Sequence, residues 1–246
     1  VRSSIDRRTD DIHEVEELIN KLRGPEAIFF GLDVGRVVDH SALSALVRYV
    51  FPVDSQMNTL ITRYYCVYLK RYQLQTPYEV IEQDAYRWWN WADIAGFRKY
   101  FIMDMTGVGA PVLEGIRRRR VRTIGITITG GEQETNPDID RYNVPKHALT
   151  TQLIRTAQMG RFKGYETIPD WKALVEEMHS FGYKIDKETS AITYESLEQK
   201  VHDDLVISVA LPIWYGERIV PYRMPIRGGG QERGGYDDYN PLAQRS

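Results

Sequence analysis

Three aspartate positions stand where apolar segments meet loops. Asp33 closes one such segment, in Gly31-Leu-Asp-Val-Gly35, and Asp104 closes another, in Met103-Asp-Met-Thr-Gly-Val-Gly109. Asp203 and Asp204 open a third, in Val201-His-Asp-Asp-Leu-Val-Ile-Ser-Val-Ala210. A carboxylate at the end of a buried strand packs poorly. Ionised in a low dielectric, it is costly unless it is paired or coordinates a metal. Gathered in one place, these carboxylates repel each other unless a divalent cation sits among them. Oxygen-only ligands favour Mg²⁺ or Mn²⁺. Two such ions about 3.5–4 Å apart can activate water and stabilise the leaving oxygen in phosphodiester hydrolysis. Each residue also has a plainer reading. Asp33 can start the turn before Gly35, Asp104 can cap the helix after Gly107, and Asp203 can cap the last helix.

The elements that must position these groups read as follows. Ala27 to Val34, Ala42 to Phe51 and Leu60 to Leu69 are rich in Val, Ile, Leu and aromatic residues, and predict three consecutive strands. A turn at Pro52-Val53-Asp54-Ser55 joins the second and third, which suggests an antiparallel meander. Residues 77–95 predict a helix carrying Trp88, Trp89 and Trp91, read as core packing. Tyr100 to Met103 is a fourth strand, 108–119 a helix and Val121 to Ile128 a fifth strand. Residues 129–144, Gly-rich and acidic, read as a loop. Pro145 fits the first turn of a helix running to about Met159. Residues 170–180 predict another helix. Tyr183-Lys-Ile and Ala191 to Tyr194 flank Asp186-Lys-Glu-Thr as a hairpin, and Val201 to Trp214 is a last apolar helix. The order points to a mixed α/β sheet flanked by helices.

The ends differ in character. Residues 5–23 place Ile12, Val15, Leu18, Ile19 and Leu22 at helical spacing, an amphipathic helix ended by Gly24-Pro25. From about Met224 the chain is rich in Gly, Arg, Asp and Tyr and reads as flexible. The expected division is a linker helix at 1–24, one domain at 25–222 and a tail at 223–246.

Composition narrows the function. With 32 basic and 34 acidic residues the 246-residue chain carries a formal charge of −2, so a nucleic-acid surface must be a local patch. The single cysteine, Cys66, excludes an intramolecular disulfide framework and a Cys-cluster zinc site, and reads as buried and inert. No apolar run approaches the roughly 20 residues of a membrane span, and the Val-Arg-Ser-Ser start shows no leader. The expectation is a soluble protein of a reducing compartment, with no membrane partner. Arg117, Arg118, Arg119, Arg120 and Arg122 form a basic run that reads either as a solvated face or as a contact to DNA phosphates.

The ordered motifs resemble the nuclease domain of viral terminase large subunits, the DNA-packaging motors of tailed phages and related viruses. The matching stretches are FFGLDVGRVVDHSAL, FIMDMTGVGAPVLEGI, KHALTTQLIRTAQMGRFK and HDDLVISVALPIW, spanning roughly residues 27 to 216. The resemblance implies an RNase H-like fold and a metal-dependent endonuclease cutting concatemeric double-stranded DNA. It makes Asp33, Asp104, Asp204 and Asp203 the ligands of one or two Mg²⁺ or Mn²⁺ ions, with Asp204 favoured over Asp203. Ser208 stands where several members carry a further acidic residue. Lys146 and Arg36 are then candidates to meet the DNA, and His202 a neighbour or outer ligand of the metal site. Asp39 and His40 read as capping the turn before the second strand. The Walker A pattern of the family's ATPase half does not occur in the chain. The ATPase domain of the same full-length chain, the portal and the small terminase subunit are the implied partners, in the host cytoplasm at the procapsid portal. Rival readings are a RuvC-type junction resolvase or transposase-like enzyme sharing the acidic site, and a non-catalytic module docking on DNA and portal. An actin-like ATPase using Gly107 and Gly109 is a further rival, but it has no use for the His-Asp-Asp helix.

Overall fold

The computed structural model describes residues 25–36, 38–52, 60–95, 97–185, 192–196 and 202–220. The helix expected at 5–23, most of the turn after Pro52, the hairpin turn at 186–189 and the tail at 223–246 lie outside them.

The meander forms as the patterning predicts: β1 (Ala27–Asp33), β2 (Ala42–Pro52) and β3 (Leu60–Arg71) pair antiparallel in order. There follow α1 (Tyr78–Ile94), β4 (Lys99–Asp104), α2 (Gly109–Arg118) and β5 (Thr123–Thr129). The chain continues through β6 (Thr135–Asp138), β7 (Arg141–Pro145), α3 (Lys146–Gln158), β8 (Phe162–Lys163) and α4 (Trp171–Ser180). Last come β9 (Phe181–Ile185), β10 (Ile192–Ser196) and α5 (Asp204–Arg218). The main sheet has eight strands in the order β6-β7-β5-β4-β1-β2-β3-β8, and β9 and β10 form a separate antiparallel pair.

The loop expected at 129–144 is corrected. It holds β6 and β7, with β7 parallel to β5 and β6 antiparallel at the sheet edge. β6 is Thr-Asn-Pro-Asp and mostly exposed, so it carries no alternation of apolar and polar residues. Its strand character comes from pairing with β7 alone. Pro145 likewise closes β7 and takes the N-cap position with extended angles (φ −59°, ψ 138°), one residue outside the helix it was expected to begin.

Helices cover both faces of the sheet. On one face Ile28, Phe30, Leu32, Phe101 and Met103 pack with Trp88, Trp91, Val112 and Ile116 of α1 and α2. On the other, Phe29, Ile102, Ile124 and Ile126 pack with Leu149 and Leu153 of α3, Leu174 of α4 and the apolar residues of α5 from Leu205 to Tyr215. This alternation is the two-residue period of a strand buried on both sides. Cys66 is buried in β3, and burial pushes its thiol up to about 12.

α5 is buried from Asp204 to Gly216, and two residues let it lie flat on the sheet. Gly31 of β1 is the first: a Cβ there would stand 1.9 Å from the Ser208 carbonyl oxygen and 2.6 Å from Pro212 Cδ. Ser44 of β2 is the second. Pro212 has no N–H to offer the Ser208 carbonyl one turn back. The Ser44 hydroxyl donates to that carbonyl instead, at 2.7 Å.

Candidate active site

Asp33 and Asp104 become neighbours because β1 and β4 run parallel, side by side, with Leu32 opposite Met103. Adjacent strands lie about 4.8 Å apart. Leu32 and Met103 point into the α1–α2 face, so alternation turns both aspartates toward α5. The N-terminus of α5 reaches the same strand ends and brings Asp203 and Asp204. All four line one cavity of about 710 Å³. Arg36, Asp39, His40, Thr106, Lys146 and His202 line it too.

The carboxylates are held in different ways. Asp104 Oδ1 accepts from the Thr106 N–H at 2.8 Å and the Thr106 hydroxyl at 2.5 Å. Thr106 Oγ1 accepts in turn from the Ile128 N–H at 2.9 Å, which ties the turn to β5. Gly107 supplies the left-handed backbone (φ +61°) that this turn needs, with Arg36 laid over it. Asp203 stands at the N-cap position but makes no capping bond; its side chain pairs with Lys146. Asp204 Oδ2 lies 3.3 Å from Arg71 Nε.

Electrostatics shows the crowding. Burial, then the charges of Asp104, Asp203 and Asp204, raise the pKa of Asp33 well above the ordinary carboxylate value, against the opposing pull of Lys146. Burial raises Asp104 as well, opposed by its bonds to Thr106 and by Lys146. Burial also raises Asp204, opposed by Arg71 and His202. Five aspartates and two fixed cations, Arg36 and Lys146, line the cavity, an excess of negative charge that favours a cationic occupant.

The donor set is oxygen-rich and suits a hard divalent ion. As the side chains stand, no group of three or more His, Cys, Asp or Glu among the described residues could hold a metal ion. Lys146 pairs with Asp203, and Arg71 lies beside one oxygen of Asp204. The Lys146–Asp203 pair is 51% and 30% exposed, the kind of contact that contributes little and parts easily. By donor chemistry the aspartates of the cavity fit such an ion.

The other expected residues fall in two places. His202 stands beside the aspartates, its ring 5.2 Å from that of His40. The nitrogen Nδ1 of His40 lies 2.8 Å from the Tyr72 carbonyl, which can only accept, so Nδ1 carries the proton. His40 and Thr106 also line the cavity, and an expected turn cap is the only signal that the sequence carries for His40. Ser208 is fully buried one turn beyond Asp204, its hydroxyl donating to the Leu205 carbonyl. The arginine run lies at the far end of α2, about 15 Å along the helix from the cavity end. There Arg117 donates to the Thr123 carbonyl at 2.8 Å and Arg119 pairs with Glu82 at 3.3 Å. Arg122 lies 3.9 Å from Asp140, while Arg118 and Arg120 are exposed.

Fold and site together define an α/β domain, a mixed eight-stranded sheet flanked by helices, with an acidic pocket at the ends of its two central parallel strands. The sequence matches no protein-family profile and no curated protein. Among solved structures, the chain is similar to the human cytomegalovirus terminase nuclease domain, solved Mn-soaked and inhibitor-bound. The TM-score is 0.48 at 11% identity, over 78% of this chain and 83% of that one. It is similar to the nuclease domain of the large terminase g2p of bacteriophage SPP1 with bound Mn, at TM-score 0.48 and 13% identity, over 81% and 90%. Thermus thermophilus RuvC matches at TM-score 0.33 and 10% identity, over 77% and 92%. Among the described residues no helix is long and apolar enough to cross a membrane.

Proposed function

We propose that this chain is a metal-dependent endonuclease, the nuclease domain of a viral DNA-packaging terminase large subunit, acting on concatemeric double-stranded DNA. One observation carries the reading. Aspartates from β1, β4 and the start of α5, up to 171 positions apart, line a single cavity that also holds Lys146 and Arg36.

Asp33, Asp104, Asp203 and Asp204 would hold one or two Mg²⁺ or Mn²⁺ ions. Bound there, such ions make water nucleophilic at neutral pH and offset the charge on the departing 3′-oxygen. The chain supplies the rest. Thr106 fixes Asp104 through two hydrogen bonds, so its free oxygen faces the cavity in one orientation. Lys146, released from Asp203, moves its ammonium toward a substrate phosphate, and Arg36 adds a second cation on the rim. The N-terminal dipole of α5 stabilises the aspartate at its first turn. No side chain serves as nucleophile. The arginine run, at the far end of α2, would bind flanking duplex rather than the scissile phosphate. The partners in this reading are the ATPase domain of the same full-length chain, the portal and the small terminase subunit.

Plasmid nicking tests it. With Mn²⁺ the purified chain is expected to nick supercoiled DNA, and Asp104→Ala to abolish the cutting. Nicking that survives in the variant, or never occurs with any divalent metal, refutes the proposal. Preference for a four-way junction over linear duplex would assign the chain to the resolvase type instead.

A further inference from the structure

Arg71 is the last residue of β3, far in sequence from every aspartate of the cavity. Its N–H donates to Asp170 Oδ2 at 2.7 Å, tying the strand end to the segment that leads into α4. Its guanidinium reaches two carboxylates, pairing with Glu177 Oε1 of α4 and lying 3.3 Å from Asp204 Oδ2. Glu177 in turn accepts from the Val206 N–H at 3.1 Å. That donor is in the first turn of α5, where N–H groups lack helical partners. Asp203, in the N-cap position, does not supply the cap. A carboxylate from a neighbouring helix does.

We infer that Arg71 and Glu177 are positioning residues for the acidic site, fixing the first turn of α5 and the carboxylate of Asp204 toward the cavity. The inference rests on the metal-site reading above. The division of labour follows from burial. The side chains of Arg71, Glu177 and Asp204 are 21%, 6% and 8% exposed, so this triad stays closed while the exposed Lys146–Asp203 pair can open. The planar guanidinium suits the task because its fork can meet two carboxylates at once. It engages Oδ2 of Asp204 and leaves Oδ1 for an ion. Without Arg71, two buried carboxylates would be left with no cation between them. Asp204 would then be free to turn away from the cavity, and a ligand would be lost.

Mn²⁺ titration of the whole chain, followed by the resonance signal of the free ion, separates holding the ligand from holding the fold. It is run beside urea unfolding without metal. In protein that remains folded, Arg71→Ala is expected to weaken Mn²⁺ binding about 10- to 100-fold, the usual cost of losing a residue that orients a ligand. Arg71→Lys keeps the charge without the fork and should recover part of the loss. Glu177→Gln keeps an oxygen for the Val206 N–H and should change binding less than Arg71→Ala does. Folded Arg71→Ala that binds Mn²⁺ like the unaltered chain overturns the inference and leaves the triad purely structural. If Arg71→Ala does not fold, Arg71→Lys decides: weaker binding at unchanged stability supports the inference, and unchanged binding overturns it. An unaltered chain that takes up no Mn²⁺ overturns the metal-site reading itself, and this inference with it.

Discussion

Gly31→Ala probes how the sheet sets the distance between its own aspartate and those of α5. The new Cβ would lie 1.9 Å from the Ser208 carbonyl oxygen, 2.6 Å from Pro212 Cδ and 2.9 Å from Pro212 Cγ. The oxygen belongs to backbone, so no side-chain rotation relieves the clash. α5 must retreat by roughly 1 Å or more to reach the closest tolerable approach, and overpacking of this kind costs about 1–3 kcal/mol. The gain from replacing a strand glycine, about 0.5–1 kcal/mol, offsets only part of that. At about 2–4 °C per kcal/mol for a domain of this size, Tm should fall by a few degrees and the fold should survive. Activity should fall much further. Asp203 and Asp204 ride on α5, and a misplacement of about 1 Å can cost 100-fold in rate. Thermal unfolding and Mn²⁺-dependent nicking on the same sample measure both effects. Folded Gly31→Ala that nicks at the rate of the unaltered chain would refute the claim that α5 sets the spacing of the acidic groups.

Three more outcomes follow from the same geometry. Ser44→Ala leaves the buried Ser208 carbonyl without its donor and should lower the urea-derived stability by about 1–3 kcal/mol; a change near zero would mean another donor satisfies it. Asp33 has a raised pKa, so the folded chain holds that proton to higher pH than the unfolded chain does. The associated stability is complete below the ordinary carboxylate range and is lost as pH rises through the folded value. In chelator, Asp33→Asn should therefore be more stable than the unaltered chain at neutral pH, and the advantage should shrink on acidification. At Mn²⁺ one hundred times its Kd the unaltered chain should gain about 2.7 kcal/mol and the variant far less; equal gains would remove Asp33 from the ligand set. Lys146→Ala with Arg36→Ala should slow cutting more than it weakens DNA binding, whereas Arg118→Glu with Arg120→Glu should mainly weaken salt-sensitive binding. Gel-shift and nicking assays over a salt series check both, and unchanged affinity in the second pair would leave that end of α2 a plain solvated face.

Much of the frame could be read along the chain because its signals are local. The strands β1 to β5 announce themselves as short apolar runs, and each aspartate stands visibly at an element end. β6 gave no such signal, since its polar, mostly exposed residues become a strand only by pairing with β7, and β7 offers just two buried apolar positions, Tyr142 and Val144, before Pro145 ends it. What tertiary structure alone decided is adjacency. Asp33 and Asp104 meet because non-local burial draws β4 to the free edge of β1. Gly31 and Ser44, unremarkable in sequence, admit α5 onto that pair and bring Asp203 and Asp204 with it. Arg71 reaches Asp204 from the end of β3, and Glu177 reaches the first turn of α5 from α4, only because both elements pack against α5, and no spacing rule connects residues that far apart. The arginine run, conspicuous in sequence, ends up at the far end of α2, because a helix moves its last turn away from its first whatever charges it carries.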